Sequence, residues 1–501
     1  MDSMLPAIAL FTPLIGAIAI FLTGKSPNVR EGATLVTSGI LFVIVGSMIG
    51  PVLNGETLKM TLVQITPELP IAFEVEPLGL IYALVASFLW IFNSLYSIGY
   101  MRTLYGKESE GQTRYYTCFA VAIFAALGIA FSGNLLTLFL FYEVLTFSTY
   151  PLVTHARNDK AFRSGRIYLG ILVGTSTLFF LAAVVWTWIL SGDLTFRPGG
   201  VLEGNATAGQ LAVLTCLFFF GCGKTALMPF HMWLPNAMVA PTPVSALLHA
   251  VAVVKAGVFT VLKIAVGILG LEFMAEHDAG RLVAWFAAVT IILASLFAMA
   301  KDNLKARLAY STIGQLSYIV LAAALATEAA VTGGAMHIAM HAFGKITLFF
   351  CAGAIYATAH KTNVSELAGI GKKMPITMLC FLVGALSTIG LPPFGGAWSK
   401  WFIAQGALGA GEAVTFEGVA FLVVLLISSL LNIAYLLPIP LIAFFGKAKE
   451  AAEGEKPDKY ADHGEAPLLC RIPIIVTAAG CLVLFVWPNM LQNLAAMATG
   501  K

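Results

Sequence analysis

Charge is what this sequence has least of. Only 11% of its 501 residues are Asp, Glu, Lys or Arg, where an average soluble domain has about 25%. With 59% of residues hydrophobic, no polar exterior can be assembled around a water-soluble core of this length. Cysteine is sparse as well: the seven residues (118, 216, 222, 351, 380, 470 and 481) lie mostly inside apolar runs and form no CxxC pair. That spacing argues against an iron–sulfur cluster, a zinc site and a disulfide frame, and reads as small buried hydrophobes. The stretch FFFGCGKTALMPFH (218–231) ends in the GKT of a phosphate-binding loop, but Phe218 stands where that loop needs its first glycine. No nucleotide cofactor and no nucleic acid partner are expected, and the net charge of +3 says little in itself. The opening run LPAIALFTPLIGAIAIFLTG lacks both a preceding basic residue and a following small-residue cleavage site. It reads as a retained first helix rather than a signal peptide.

What is present instead is a series of apolar runs of ~20 residues, the length that crosses a ~30 Å hydrocarbon layer. Fourteen are expected, near 4–23, 32–50, 78–99, 115–131, 135–152, 167–190, 210–228, 243–268, 282–300, 308–326, 333–358, 374–411, 418–445 and 472–489. The fold class is therefore an all-α polytopic membrane protein. The twelfth run is too long for one straight helix, and LPPFGG at 391–396 interrupts it.

Of the 29 lysines and arginines, 20 follow odd-numbered spans, among them Arg102, Arg157, Lys160, Lys301 and Lys361. Four (Lys59, Arg197, Arg281 and Lys501) lie on the opposite side. The positive-inside rule then puts the odd-numbered connections in the cytoplasm and both termini outside, with the inner (plasma) membrane of the cell as the expected location. The mixed-charge connection at 446–471 reads as a solvated cytoplasmic loop. Five lysines remain within spans: Lys224, Lys255, Lys263, Lys345 and Lys400. Among 26 acidic residues only Glu143, in LTLFLFYEVLTF, is deep inside one. Each such charge costs ~2.5–3.5 kcal/mol at mid-membrane on insertion-based scales, so these charges imply a hydrated path, partner charges or both. Lys263, near the end of its span, has a second reading in which its head bends to the surface.

Two spans share an irregularity. The seventh carries Gly221, Gly223, Lys224 and Pro229, and the twelfth carries Gly390, Pro392, Pro393, Gly395, Gly396 and Lys400. They are an odd number of spans apart, so one runs inverted relative to the other. Paired breaks of this kind point to a transport site near the midplane, because freed backbone groups are tolerated only in a wet or protein-lined interior. The expected domains are helices 1–3 (1–114), a five-helix unit (115–268), an inverted second unit (282–445), the loop (446–471) and a last helix (472–501).

In GGAMHIAMHAFGKITLFF, His337, His341 and Lys345 follow at spacings of four and form one slowly turning stripe. Such a row can pass protons through intervening water, since imidazole titrates near neutral pH. His337 and His341 have the i, i+4 spacing of a zinc pair, but HIAMH lacks the glutamate of HExxH, so no metal is expected. His249 and Lys255 share the eighth span without sharing a face, and Lys255 can turn toward Lys224 or toward the second unit. Glu143 and Lys224 are expected partners, each stabilising the other's charge, so that a change at one drives proton movement at the next. No bound cofactor is needed.

The motifs GKTALMPFHMWLPNAMVAPTPVSALLHAVAVVKAGVF (223–259), EPLGLIYALVASFLWIFNSLYSIGYM (76–101), NLLTLFLFYEVLT (134–146), KDNLKARLAYSTIGQLSYIVLA (301–322) and GLPPFGGAWSKW (390–401) cover nearly the whole chain. Together they resemble the antiporter-like, proton-conducting subunits of respiratory complex I and of multi-subunit Mrp-type sodium/proton antiporters. The resemblance implies fourteen helices with an inverted repeat and broken seventh and twelfth helices. It identifies Glu143 with the family's fifth-helix glutamate, Lys224 with the seventh-helix lysine, and His249 and Lys255 with the eighth-helix pair. His337, His341 and Lys345 match the eleventh-helix group, and Lys400 the terminal residue on the twelfth. Lysine at that last position is similar to the D-type member of the Mrp antiporters and to one complex I subunit type. The largest members carry a long lateral helix after the fourteenth span, and only a dozen residues remain here. YEVLTFSTYPLVTHARND (142–159), which carries the glutamate, is most similar to the D-type Mrp member.

The implied function is proton translocation in a monovalent cation (Na+)/proton antiporter: a transporter subunit, not an enzyme. Other membrane subunits, including a larger antiporter-like chain, are the expected partners, with the lipid bilayer around them. The alternatives are a proton-pumping subunit of a redox-driven complex I or hydrogenase relative, and a bicarbonate-uptake module on the same scaffold.

Overall fold

Apolar runs bounded by Asn, Thr, Pro and Gly become membrane-length helices here. The computed structural model describes residues 3–66, 69–107, 110–409, 414–447 and 464–500. Among these, twelve helices are long and apolar enough to cross a membrane: α1 (Leu5–Leu22), α2 (Pro27–Leu53), α3 (Pro77–Tyr105), α4 (Gln112–Ala130), α5 (Leu135–Val153), α6 (Asp159–Ser191), α8 (Thr242–Leu269), α9 (Arg281–Ala300), α10 (Leu304–Leu325), α11 (Glu328–Ala359), α13 (Phe416–Phe445) and α14 (Leu468–Val486). Two shorter apolar helices stand at the seventh and twelfth places: α7 (Ala208–Gly221) and α12a (Pro375–Ile389), the latter continued by α12b (Gly396–Ala407). The protein is an all-α polytopic membrane protein.

Polar caps set several helix starts. The Asn134 side chain accepts from Thr137 N at 2.8 Å to open α5, and Asn303 accepts from Ala306 N at 3.1 Å to open α10. Between α2 and α3 an antiparallel hairpin, β1 (Leu58–Thr66) and β2 (Leu69–Val75), pairs Leu58 with Val75 and Met60 with Phe73.

Burial is uneven. α8, α10 and α11 are almost wholly enclosed, whereas α1, α2, α6, α13 and α14 keep most of their apolar surface outward, including Phe21, Val43, Leu178, Leu430 and Val486. That outward surface suits lipid or a neighbouring subunit. α11 packs against α3, α8, α10, both halves of α12 and α14, and α8 also touches α4 and α10.

The seventh span departs from expectation. It was expected to run to 228, but regular helix ends at Gly221 and residues 222–241 form short turns, Gly223–Thr225, Trp233–Asn236 and Ala237–Val239 among them. Pro229, Pro235 and Pro241 lack the amide donor that a continuing helix needs. The break lies against α8 at Gly257, where a Cβ would come within 2.5 Å of the Lys224 carbonyl carbon and the Thr225 nitrogen. In the twelfth span Gly390, at φ +91°, ends α12a. Most of the loop expected at 446–471 lies outside the described residues.

Candidate functional site

The break after α7 delivers Lys224 into a fully buried position. Its ammonium donates to the Tyr142 carbonyl at 2.9 Å and to Thr146 Oγ1 at 2.6 Å, and stands 3.2 Å from the Tyr142 ring centroid. Its backbone amide donates to the Tyr142 hydroxyl at 3.1 Å. Trp233 Nε1 donates to the Gly223 carbonyl at 2.9 Å and closes the turn.

The expected partnership of Glu143 and Lys224 is electrostatic rather than direct: no contact ion pair joins them among the described residues, yet the Glu143 carboxylate lies near enough to act on the Lys224 charge. Tyr142 and Glu143 are adjacent on α5, so their side chains diverge by ~100°. The face of Tyr142, Thr146 and Thr149 meets the break. Glu143 lies with Leu140, Val144 and Phe147 on the outward side, half-buried, with Oε1 unpartnered among the described residues.

α8 carries the next groups. His249 is buried against Phe349, with ring centroids 4.7 Å apart, and both its nitrogens are unpartnered among the described residues. Lys255 turns to the second unit, where its Nζ lies 2.7 Å from His341 Nδ1. The His341 and His337 rings stack at 5.6 Å. His337 Nδ1 reaches Ser399 Oγ at 2.8 Å on α12b, one residue before Lys400. Lys400 donates to the Thr388 and Ile389 carbonyls at 3.1 and 2.8 Å, the open end of α12a, and sits 4.8 Å from the Tyr318 ring centroid.

The α11 stripe is continuous through the two histidines but branches at Lys345. Its ammonium donates to Ser311 Oγ at 2.6 Å on α10, and the Ser311 hydroxyl lies in hydrogen-bond contact with the Tyr435 hydroxyl at 2.8 Å. Tyr435 in turn bonds Asn432 Oδ1. The structure thus joins Lys255, His341, His337 and Ser399 in one line, sets Lys345, Ser311 and Tyr435 beside it, and keeps Lys224 with Tyr142 and Thr146. Sequence reasoning did not find Tyr142, Thr146, Ser311, Ser399 or Tyr435. Ser399 beside Lys400, and Tyr142 beside Glu143, were the available signals. Nε2 of both His337 and His341 is buried without a protein partner among the described residues, and such atoms at membrane depth call for water.

Two cavities open at opposite ends of α8. One, of about 340 Å³, lies at Thr242 and is lined by Lys160, Lys305, Lys361, Tyr100 and Tyr356, all on the lysine- and arginine-rich side. The other, of about 210 Å³, lies at Lys263 and Gly267 and is lined by Glu74, Glu76 and Arg197.

Residues 132–431 match the family described as NADH:quinone oxidoreductase/Mrp antiporter, TM. The chain belongs to this family. The matched stretch contains Glu143, Lys224, His249, Lys255, His337, His341, Lys345 and Lys400. One relative over nearly full length, the NADH-quinone oxidoreductase subunit N of Desulforudis audaxviator, is 30% identical across 97% of this chain and 96% of its own. Several longer members, named as chain or subunit 5 of NAD(P)H-quinone oxidoreductases, also match, and the chain spans 47–63% of their length. Among solved structures, a chain of the Mrp complex from Dietzia sp. DQ12-45-1b superposes with a TM-score of 0.85, covering 99% of this chain and 97% of its own at 20% identity. A chain of the membrane-bound sulfane sulfur reductase, an archaeal respiratory membrane complex, gives 0.84, covering 100% and 98% at 23% identity. At these identities the superpositions establish a shared fold for this member of the family.

Proposed function

We propose that the chain is the proton-translocating subunit of a multi-subunit monovalent cation/proton antiporter of the Mrp type, most similar to the D-type member, in the cell inner membrane. Lys224, His249, Lys255, His341, His337, Lys345 and Lys400 carry the proton, with Glu143 biasing the first of them from the α5 face. The two halves of the path correspond to an inverted pair of five-helix units, residues 115–268 and 282–445.

The observation that carries this reading is the 2.7 Å contact of Lys255 with His341, which links α8 of the first unit to α11 of the second deep in the most enclosed part of the molecule. A lysine that hands its proton to an imidazole becomes a neutral amine, and the imidazolium it leaves repels neighbouring cations. Proton arrival at one end is thereby felt at the next site. Lys224 is held by a carbonyl, a hydroxyl and an aromatic face, which satisfy its charge without fixing it as a carboxylate pair would. Sodium prefers oxygen ligands, and Glu143 is the carboxylate furthest inside a span, so the cation path runs through another subunit or an interface.

Lys224→Ala tests the path. In the assembled complex, proton-coupled transport in vesicles should fall on the order of a hundredfold with subunit composition unchanged, since a positioned acid–base group contributes 10²–10⁴. Unimpaired transport would remove the central residue from the mechanism.

The 30% identity with a quinone oxidoreductase subunit N supports a second reading, a proton-pumping subunit of a redox-driven enzyme. Gentle purification followed by mass spectrometry separates the two. Small membrane subunits with a larger antiporter-like chain support the antiporter, whereas iron–sulfur or flavin proteins in fixed ratio support the pump.

A further inference from the structure

Lys263 is the intramembrane lysine that the path above does not use. Its residue is only 2% exposed, and its head reaches Glu76 and Ser132 at the outer ends of α3 and α4. The ammonium lies 2.7 Å from Glu76 Oε1, donates to the Ser132 carbonyl at 2.7 Å, and stands 4.6 Å from the Phe196 ring centroid. Glu76, at the start of α3, has a side chain 30% exposed. It lines the 210 Å³ cavity on the side opposite the lysine-rich connections. The pair therefore has one enclosed end and one open end.

Its position along α8 gives that asymmetry a direction. Lys263 follows Lys255 by eight residues, ~12 Å of helix. Thr260 stands between them, one turn before Lys263, with a buried hydroxyl that has no partner among the described residues. The same helix starts at the cavity on the cytoplasmic side. One helix thus connects cavities on the two faces and carries His249, Lys255, Thr260 and Lys263 in order between them.

We propose that Lys263 and Glu76 form an outward proton-release point at the end of α8, separate from the line that leads to Lys400. The Nζ–H bond of Lys263 breaks and the proton joins Glu76 Oε1, leaving an amine and a carboxylic acid. The acid loses its proton to water in the outer cavity. A proton arriving along α8 from the side of Lys255 restores the ammonium. The other charged groups facing the pair are Glu74, which is bound to Lys59 at 3.0 Å, and Arg197, which is bound to Asp193 at 3.4 Å. Because both are already paired, Glu76 is the carboxylate free to exchange with Lys263. This release point rests on the proton-translocating reading above.

The test uses the assembled complex in vesicles, with Glu76→Gln, Lys263→Gln and Lys224→Ala measured side by side. Glu76→Gln keeps the shape of a rim residue and removes the proton acceptor. Proton-coupled transport should fall on the order of tenfold or more, with a changed dependence on outer pH and normal subunit composition. If Lys263→Gln fails to assemble, Glu76→Gln decides alone. Wild-type rate and wild-type dependence on outer pH in Glu76→Gln overturn the release point. If Lys224→Ala is inactive in that case, the path through the second unit stands without it. Full activity of Lys224→Ala removes both.

Discussion

Ser311 shows how little protein is needed to hold a charge at membrane depth. One hydroxyl accepts from the Lys345 ammonium and hydrogen-bonds the Tyr435 hydroxyl, and a hydrogen bond to a charged group contributes about 1.5–3 kcal/mol. Ser311→Ala should therefore slow proton transport by roughly tenfold or more and lower thermal stability. Tyr435→Phe, which leaves the lysine its acceptor, should do clearly less. A proton-flux assay on both variants checks the order, and equal losses would show that Ser311 serves packing alone. The charged positions were legible in the sequence because each one is costly inside an apolar run and so stands out. Their hydroxyl partners were not. Serine and threonine within spans commonly satisfy themselves on the carbonyl four residues back, as Thr187 does on Ala183 and Ser295 on Ile291. Nothing in the sequence separates those from Thr146 or Ser399. The direction of Glu143 was likewise hidden, since a glutamate next to a tyrosine on a helix reads the same whichever of the two faces inward.

At the scale of elements, the breaks do the positioning. LPPFGG announced the interruption of the twelfth span, and its two helices fall at Pro375–Ile389 and Gly396–Ala407 inside the expected 374–411. The seventh was harder to place, because FFFGCGKTALMPFH stays apolar past the last helical residue and only the prolines mark the change. The hairpin Leu58–Val75 escaped a search for apolar spans altogether, because much of its first strand faces outward. What neither search could give is the closeness of α8 to the α7 break, which depends on the missing side chain of Gly257. Gly257→Val should push the Gly223–Thr225 turn off α8, cost about 1–3 kcal/mol as overpacked cores do, and displace Lys224 from Tyr142. Gly209→Ala, at an exposed position with nothing within 4 Å of the new Cβ, should be neutral. Thermal unfolding of the purified complex compares the two. Equal stability would mean that the break does not depend on α8 for its place.

For the whole molecule, the arrangement is a shielded interior inside an apolar coat. α8, α10 and α11 hold Lys255, Lys263, Ser311, His337, His341 and Lys345, while α1, α2, α6, α13 and α14 turn apolar side chains outward. The proposed proton path, enclosed in this way, needs openings on both faces, and the two cavities at the ends of α8 lie where such openings would stand, with opposite surroundings. The cavity with Lys160, Lys305 and Lys361 lies among the connections after odd-numbered spans, and the cavity with Glu74 and Glu76 on the other side. By the positive-inside rule, the charge asymmetry of 20 against four predicts that the first faces the cytoplasm. Lys301 and Glu203 are exposed on opposite sides of this division. In intact cells, Glu203→Cys should react with a membrane-impermeant thiol reagent and Lys301→Cys should react only after the membrane is opened, with the wild-type chain as background for its seven native cysteines. The reverse pattern would turn the molecule over. Glu76 would then face the cytoplasm, and the group on α8 that releases a proton outward would have to be sought near Lys305.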